Sequence, residues 1–173
     1  MRLALGLLLS IVSFLGQAEA LPPMSFGSSF NHEELYDILK DKPLFKNMDS
    51  ELIGAPIRLE ISHTFKATAG GNAAGLASAM WAGMSLGILP VVTNRDLVIR
   101  YEVFVKGHPV SNHEFSENFT EAINMYSVQN SFKLDGKPYE WVKSTIPQAL
   151  KLIEEDEKVK ELQREYEFYF GEK

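Results

Sequence analysis

From Ile57 to Lys66 the chain reads IRLEISHTFK, and its apolar residues fall on every second position. Ile57, Leu59, Ile61, His63 and Phe65 take one face of an extended segment, and Arg58, Glu60, Ser62, Thr64 and Lys66 take the other. Strict alternation is the period of a half-buried strand, because successive side chains leave a strand on opposite sides. Residues 97–106, LVIRYEVFVK, repeat it, with Leu97, Ile99, Tyr101, Val103 and Val105 inward and Arg100, Glu102 and Lys106 outward. Phe104 is an apolar residue on the outward set. Gly107, His108 and Pro109 predict a turn, and Val110–Phe115 an antiparallel return. The fold class implied is α+β: a small antiparallel sheet with flanking helices.

Between the two strands lies an uncharged run, residues 67–94, ATAGGNAAGLASAMWAGMSLGILPVVTN. Small residues recur at every fourth position: Gly71, Gly75, Ala79, Gly83 and Gly87. This glycine-zipper pattern lets a helix backbone approach another surface closely. A second small row is Ala74, Ser78 and Ala82, and Leu76, Met80, Met84 and Ile88 make a bulky row. Each interior glycine costs a helix about 1 kcal/mol relative to alanine, a cost that close packing has to offset. The run exceeds the ~18 residues that nominate a membrane span, but Gly, Ala, Ser, Thr and Asn dominate it. Two neighbouring antiparallel strands would make it leave and re-enter one edge of the sheet. The expectation is therefore an inserted apolar helix or helical hairpin, breaking near Ser78 or Gly83, that folds over the sheet or dips into one leaflet. Pro90 ends it, because a proline pushes the preceding residue out of helical geometry.

Working outward, Asn31 followed by Glu34 has the form of a capping box for a short helix through Leu35, Ile38 and Leu39, ending before Pro43. Residues 41–56 read as a loop. Ser116 is placed to cap a helix carrying Phe119, Ala122, Ile123 and Tyr126, with a strand through Phe115 and Phe119 as the alternative. Val128–Tyr139 predicts a hairpin turning at Asp135 and Gly136. Thr145, Pro147 and Gln148 read as the start of a long helix with Leu150, Ile153, Val159, Leu162, Tyr166 and Phe170 near one stripe.

Residues 1–20 have the form of a secretory signal: Arg2, the apolar core LALGLLLSIVSFLG, and Ala18-Glu19-Ala20 as a small-x-small cleavage site. Residues 21–173 then make a single domain, opening with a poorly ordered lead from Leu21 to Phe30. The chain contains no cysteine, which excludes disulfides, thiolate metal sites and a cysteine nucleophile. Export without disulfides suits the periplasm or envelope of a Gram-negative bacterium. The net charge of −6 comes without a basic patch, which argues against nucleic acid as a partner.

Candidate chemistry is sparse. His108 and His113, with Glu114 and Glu117, carry metal-ligand residue types, but at no zinc-site spacing. His63 stands on an apolar strand face, where a histidine hydrogen-bonded within the core is the ordinary finding. There is no G-x-S-x-G and no G-x-G-x-x-G, and a Ser/His/Asp set is a matter of geometry rather than spacing. No cofactor is implied.

The stretch SLGILPVVTNRDLVIRYEVFVKG, Ser85–Gly107, resembles small exported bacterial envelope proteins with a Gly-rich apolar segment ending in an LGxLPV motif. The resemblance implies an envelope location and brings no activity or site residues. The expected function is non-enzymatic: association with membrane, or with other copies of the chain, through residues 67–94. The other reading is a periplasmic protein whose buried apolar segment lines a pocket for a small apolar ligand with Met80, Trp81 and Met84.

Overall fold

The computed structural model of the chain describes residues 20–85, 89, 91–123 and 133–170. In chain order its elements are β1 (Ser25–Ser28), α1 (His32–Lys40), a 3-10 turn (Pro43–Phe45), β2 (Ile57–Ala67), α2 (Ala69–Met84), β3 (Val91–Val105), β4 (His108–Ile123), α3 (Gly136–Glu155) and α4 (Glu157–Phe170). The strands form one sheet in the order β1-β2-β3-β4. The fold is α+β, and the sheet is mixed: β2, β3 and β4 are antiparallel neighbours, while β1 joins β2 in parallel.

The alternation read from sequence sets the faces. Leu59, Ile61, Leu97, Ile99, Tyr101 and Val103 are buried on one side of the sheet. They pack with Val142, Ile146, Ala149 and Ile153 of α3 and Val159 of α4. Burying each such aliphatic side chain contributes roughly 1.5–3 kcal/mol. The opposite face is polar: Glu114 accepts from Arg100 at 2.8 Å and Lys66 at 3.3 Å, and Asn118 donates to Asp96 at 2.7 Å. The turn between β3 and β4 falls at Lys106 and Gly107, with φ of 50° and 81°. Two successive left-handed residues give the hairpin the twist its strands need. The turn therefore closes one residue earlier than the sequence suggests, and His108 and Pro109 already belong to β4.

Several expectations are corrected. Residues 21–30 are not a loose lead: Leu21, Met24, Phe26 and Phe30 are buried, and Ser25–Ser28 pairs with Arg58–Ile61. Its apolar content outweighs its Pro, Gly and Ser. Ser116–Ile123 is strand, not helix, because pairing with β3 runs unbroken through Val91↔Ile123. Phe115 and Phe119 then share one face, with Phe119 packed edge-on against Trp141 at 5.8 Å. Gly136 starts α3 instead of turning a hairpin, and residues 124–132 lie outside the described set. Thr145 and Pro147 sit inside α3; the Thr145 hydroxyl donates back to Val142 O at 2.7 Å instead of capping. Asn31 does stand at the N-cap of α1 and its amide donates to Glu34 Oε2 at 3.2 Å, but its side chain caps no backbone N–H. Its amide clasps Leu134 in both directions, accepting from Leu134 N at 2.7 Å and donating to Leu134 O at 3.1 Å, a tie between chain segments far apart in sequence.

Candidate functional site

β3 and β4 remain paired to Val91↔Ile123, whereas β2 stops at Ala67↔Arg95. Over residues 91–94 the β2 side of β3 therefore has no strand partner among the described residues, and α2 takes its place. Thr68 makes this junction. Extended at φ −89°, ψ 155°, it caps α2 by accepting from Gly71 N. The same hydroxyl lies 2.8 Å from Asn94 Oδ1 and 3.1 Å from Asn94 O. One helical stretch on, Ser78 Oγ accepts from Val92 N at 3.0 Å and lies 3.2 Å from Val92 O. Side-chain hydroxyls thus meet the backbone groups that an exposed strand edge would leave open.

α2 is one continuous helix through Ser78 and Gly83, not a hairpin. Its contact row is Gly71, Ser78 and Ala82, with Gly75 between them facing open space. Gly71 and Ala82 are buried, and a Cβ on Gly71 would overlap Asn94 O and sit 2.8 Å from the Asn94 carbonyl carbon. The every-fourth-residue row leaves this contact because each step turns it by about 40°. Ala79 and Gly83 are accordingly exposed, and a Cβ on Gly75 or Gly83 meets nothing within 4 Å. Gly87 lies outside the described residues. Opposite the contact row stand Leu76, Met80 and Met84 at 72%, 71% and 67% exposure, with Trp81 at 63%. The 16 residues of α2 rise about 24 Å, and no helix among the described residues is long and apolar enough to cross a membrane.

Beside this contact a cavity of about 600 Å³ opens between α2 and the inner sheet face. Phe65, Ala67, Gly75, Leu76, Thr93 and Arg95 are among its walls; Met80, Trp81 and Met84 lie outside it. Thr93 Oγ1 is buried without a hydrogen-bond partner among the described residues. Arg95, half-buried, makes no ion pair among the described residues. Sequence reading missed both residues, although the signal was present. Arg95 shares the parity of Leu97 and Ile99, which places a cation on the apolar face.

The remaining polar groups are tied into the fold. His113 Nε2 lies 3.0 Å from Ser111 Oγ and 3.9 Å from Asp156 Oδ2. One ring nitrogen faces both partners, whereas a serine-activating histidine uses its second nitrogen to hold the acid; Ser111 is also only 3% exposed. The group joins β4 to the α3–α4 junction. His108 stands apart at the start of β4, and no group of three His, Asp or Glu among the described residues is placed to hold a metal. His63 Nδ1 lies 2.9 Å from Ser29 Oγ, with Phe30 and Phe65 edge-on at 4.8 and 5.8 Å. Burial lowers its pKa from the ordinary 6.5. No protein-family model and no curated protein matches the chain.

Proposed function

We propose that this is a non-enzymatic protein of the bacterial cell envelope that docks on membrane through α2. The observation that carries the reading is the uncharged helix itself, with Leu76, Met80, Trp81 and Met84 facing away from the sheet. A helix apolar on all sides is normally covered on all sides, and β3 covers only one side of this one. The small residues Gly71, Ser78 and Ala82 are spent on β3, and bulky side chains stand outward, the surface that suits acyl chains better than close helix–helix contact. The net charge of −6 favours apolar docking over attraction to anionic lipid.

The test uses Trp81 as the reporter in a Trp141→Phe background. Zwitterionic phosphatidylcholine vesicles carrying brominated acyl chains should quench Trp81 and shift its emission to the blue, and high salt should not reverse either effect. Leu76→Glu with Met80→Glu should abolish both without unfolding the protein, since both positions are exposed. Unquenched Trp81 in the presence of excess vesicles, together with crosslinked oligomers, would replace lipid with a second copy of the chain as the partner of α2.

A further inference from the structure

The cavity between α2 and the inner face of β2 and β3 has an asymmetric lining. One side is apolar, from Phe65, Ala67 and Leu76; the other carries Thr93 and Arg95. The two polar residues are neighbours on one face of β3, two positions apart and so about 7 Å between backbones. That spacing lets a hydroxyl and a guanidinium reach the oxygens of a single carboxylate or phosphate. Neither group finds a side-chain partner among the described residues. The Thr93 hydroxyl is buried and has no hydrogen-bond partner among the described residues, a condition that a ligand oxygen would relieve. Arg95 sits where β2 offers only Ala67 and β4 only Phe119 in register. Planar guanidinium is the side chain best suited to grip an oxyanion through paired hydrogen bonds.

We infer that this cavity is a binding site for a single-chain anionic amphiphile, such as a fatty acid or a lysophospholipid, its head group held by Arg95 and Thr93 and its chain lying along Phe65, Gly75 and Leu76. A volume of about 600 Å³ falls within the range of small-molecule sites. At roughly 30 Å³ for a water-sized group, it holds about twenty such groups, enough for one acyl chain and its head. Charge complementarity selects an anion, and the apolar wall selects a chain. Gly75 is the position that keeps the space open, because a Cβ built on it meets nothing within 4 Å. The site lies on the flank of α2 and shares Leu76 with its outward face, while Phe65, Gly75, Thr93 and Arg95 belong to the cavity and not to that face, so its binding is tested without membrane.

The experiment is titration with dansylundecanoic acid below its micelle concentration and without vesicles, so that its outcome is separate from that of the docking test. The wild-type protein should bind saturably at one probe per chain. Palmitate and lysophosphatidylglycerol should each displace the probe, and the stronger of the two identifies carboxylate or phosphate as the preferred head. Arg95→Gln should weaken the acid by at least about tenfold while changing the affinity for a neutral dansyl alkyl amide by less than about threefold. Gly75→Leu should fill the cavity and abolish binding, whereas Gly83→Leu, with the same gain in helix propensity and outside the cavity, should bind as wild type. Arg95→Gln carries the test by itself if Gly75→Leu folds poorly. Absence of saturable wild-type binding, equal loss of acid and neutral probe in Arg95→Gln, or displacement by inorganic phosphate alone would overturn the inference.

Discussion

Gly71→Ala isolates the contact on which the placement of α2 depends. The added Cβ would overlap Asn94 O and lie 2.8 Å from the Asn94 carbonyl carbon and 2.9 Å from Thr68 Oγ1. The first two are strand backbone, which cannot rotate away. Restoring an ordinary carbon–carbon separation requires the start of α2 to retreat from β3 by about 1 Å. At that distance the Thr68 hydroxyl, now 2.8 Å from Asn94 Oδ1 and 3.1 Å from Asn94 O, loses its partner. One lost hydrogen bond and an under-satisfied strand carbonyl cost roughly 2–4 kcal/mol together. The gain in helix propensity offsets at most about 1 kcal/mol, and less this close to the cap. The net expectation is a loss of about 1–3 kcal/mol. Gly75→Ala and Gly83→Ala meet open space and should each gain about 0.5–1 kcal/mol. Thermal denaturation of the three variants is the assay, and Tm should shift in opposite directions by a few degrees. A Gly71→Ala protein as stable as Gly75→Ala would refute the reasoning, because it would mean that α2 does not press on β3 at this point.

Three further outcomes follow from the same structure. Ile61→Asp and Val103→Asp, both at 0% exposure, should each cost more than about 4 kcal/mol in denaturant melts, while Glu102→Lys, on the polar face opposite Glu60, should stay within about 0.5 kcal/mol of wild type or improve on it by ending a like-charge pair. Burial lowers the His63 pKa from 6.5, so below that pH the unfolded chain takes a proton that the folded one resists; stability should fall as pH drops from 7.5 through 6.5 to 5.5, and His63→Phe should flatten that part of the profile. Thr145 already donates to Val142 O, so the Tyr101 hydroxyl, 2.9 Å from Thr145 Oγ1, is the donor of that pair; Tyr101→Phe should cost about 1 kcal/mol and reduce the loss of stability above pH 10, which arises because burial raises the Tyr101 pKa to about 12.

The strands were legible wherever one face is buried and the other wet, because alternation then records both the structure and its orientation. Ile57–Phe65 and Leu97–Val105 read correctly for that reason. Ser116–Ile123 misleads because Phe119, Ala122 and Ile123 fit a helical stripe as well as Phe115 and Phe119 fit a strand; the pairing partner that decides between them is remote in sequence. Asn31 was legible in place but not in use: it stands at the N-cap of α1, yet its amide bonds Leu134 and the Glu34 carboxylate and caps no backbone N–H. Residues 21–30 show the converse: Pro and Gly dominated the reading, while Leu21, Met24, Phe26 and Phe30 were the residues that mattered to the core. The candidate site was half visible. The apolar run was evident, and so was its return to the same sheet edge. The cavity was not, because it depends on β2 stopping at Ala67 while β3 extends beyond it.

That difference in strand length is what gives α2 its character. A β3–β4 ribbon protruding past β2 exposes an edge with unpaired backbone groups, the feature that proteins commonly cover to prevent strand addition. Here a helix covers it, and only a small-sided helix can come close enough for Thr68 and Ser78 to reach Asn94 and Val92. Glycine, alanine and serine on the contact row follow from that requirement. The outer face has no such constraint from the sheet: a surface helix covering an edge would do so equally well with lysine or glutamate at positions 76, 80, 81 and 84. Leucine, methionine and tryptophan stand there instead. Edge protection thus accounts for the inner row of the apolar segment and leaves the outer row unexplained, and it is the outer row that an apolar partner, for which lipid is the reading proposed here, has to explain.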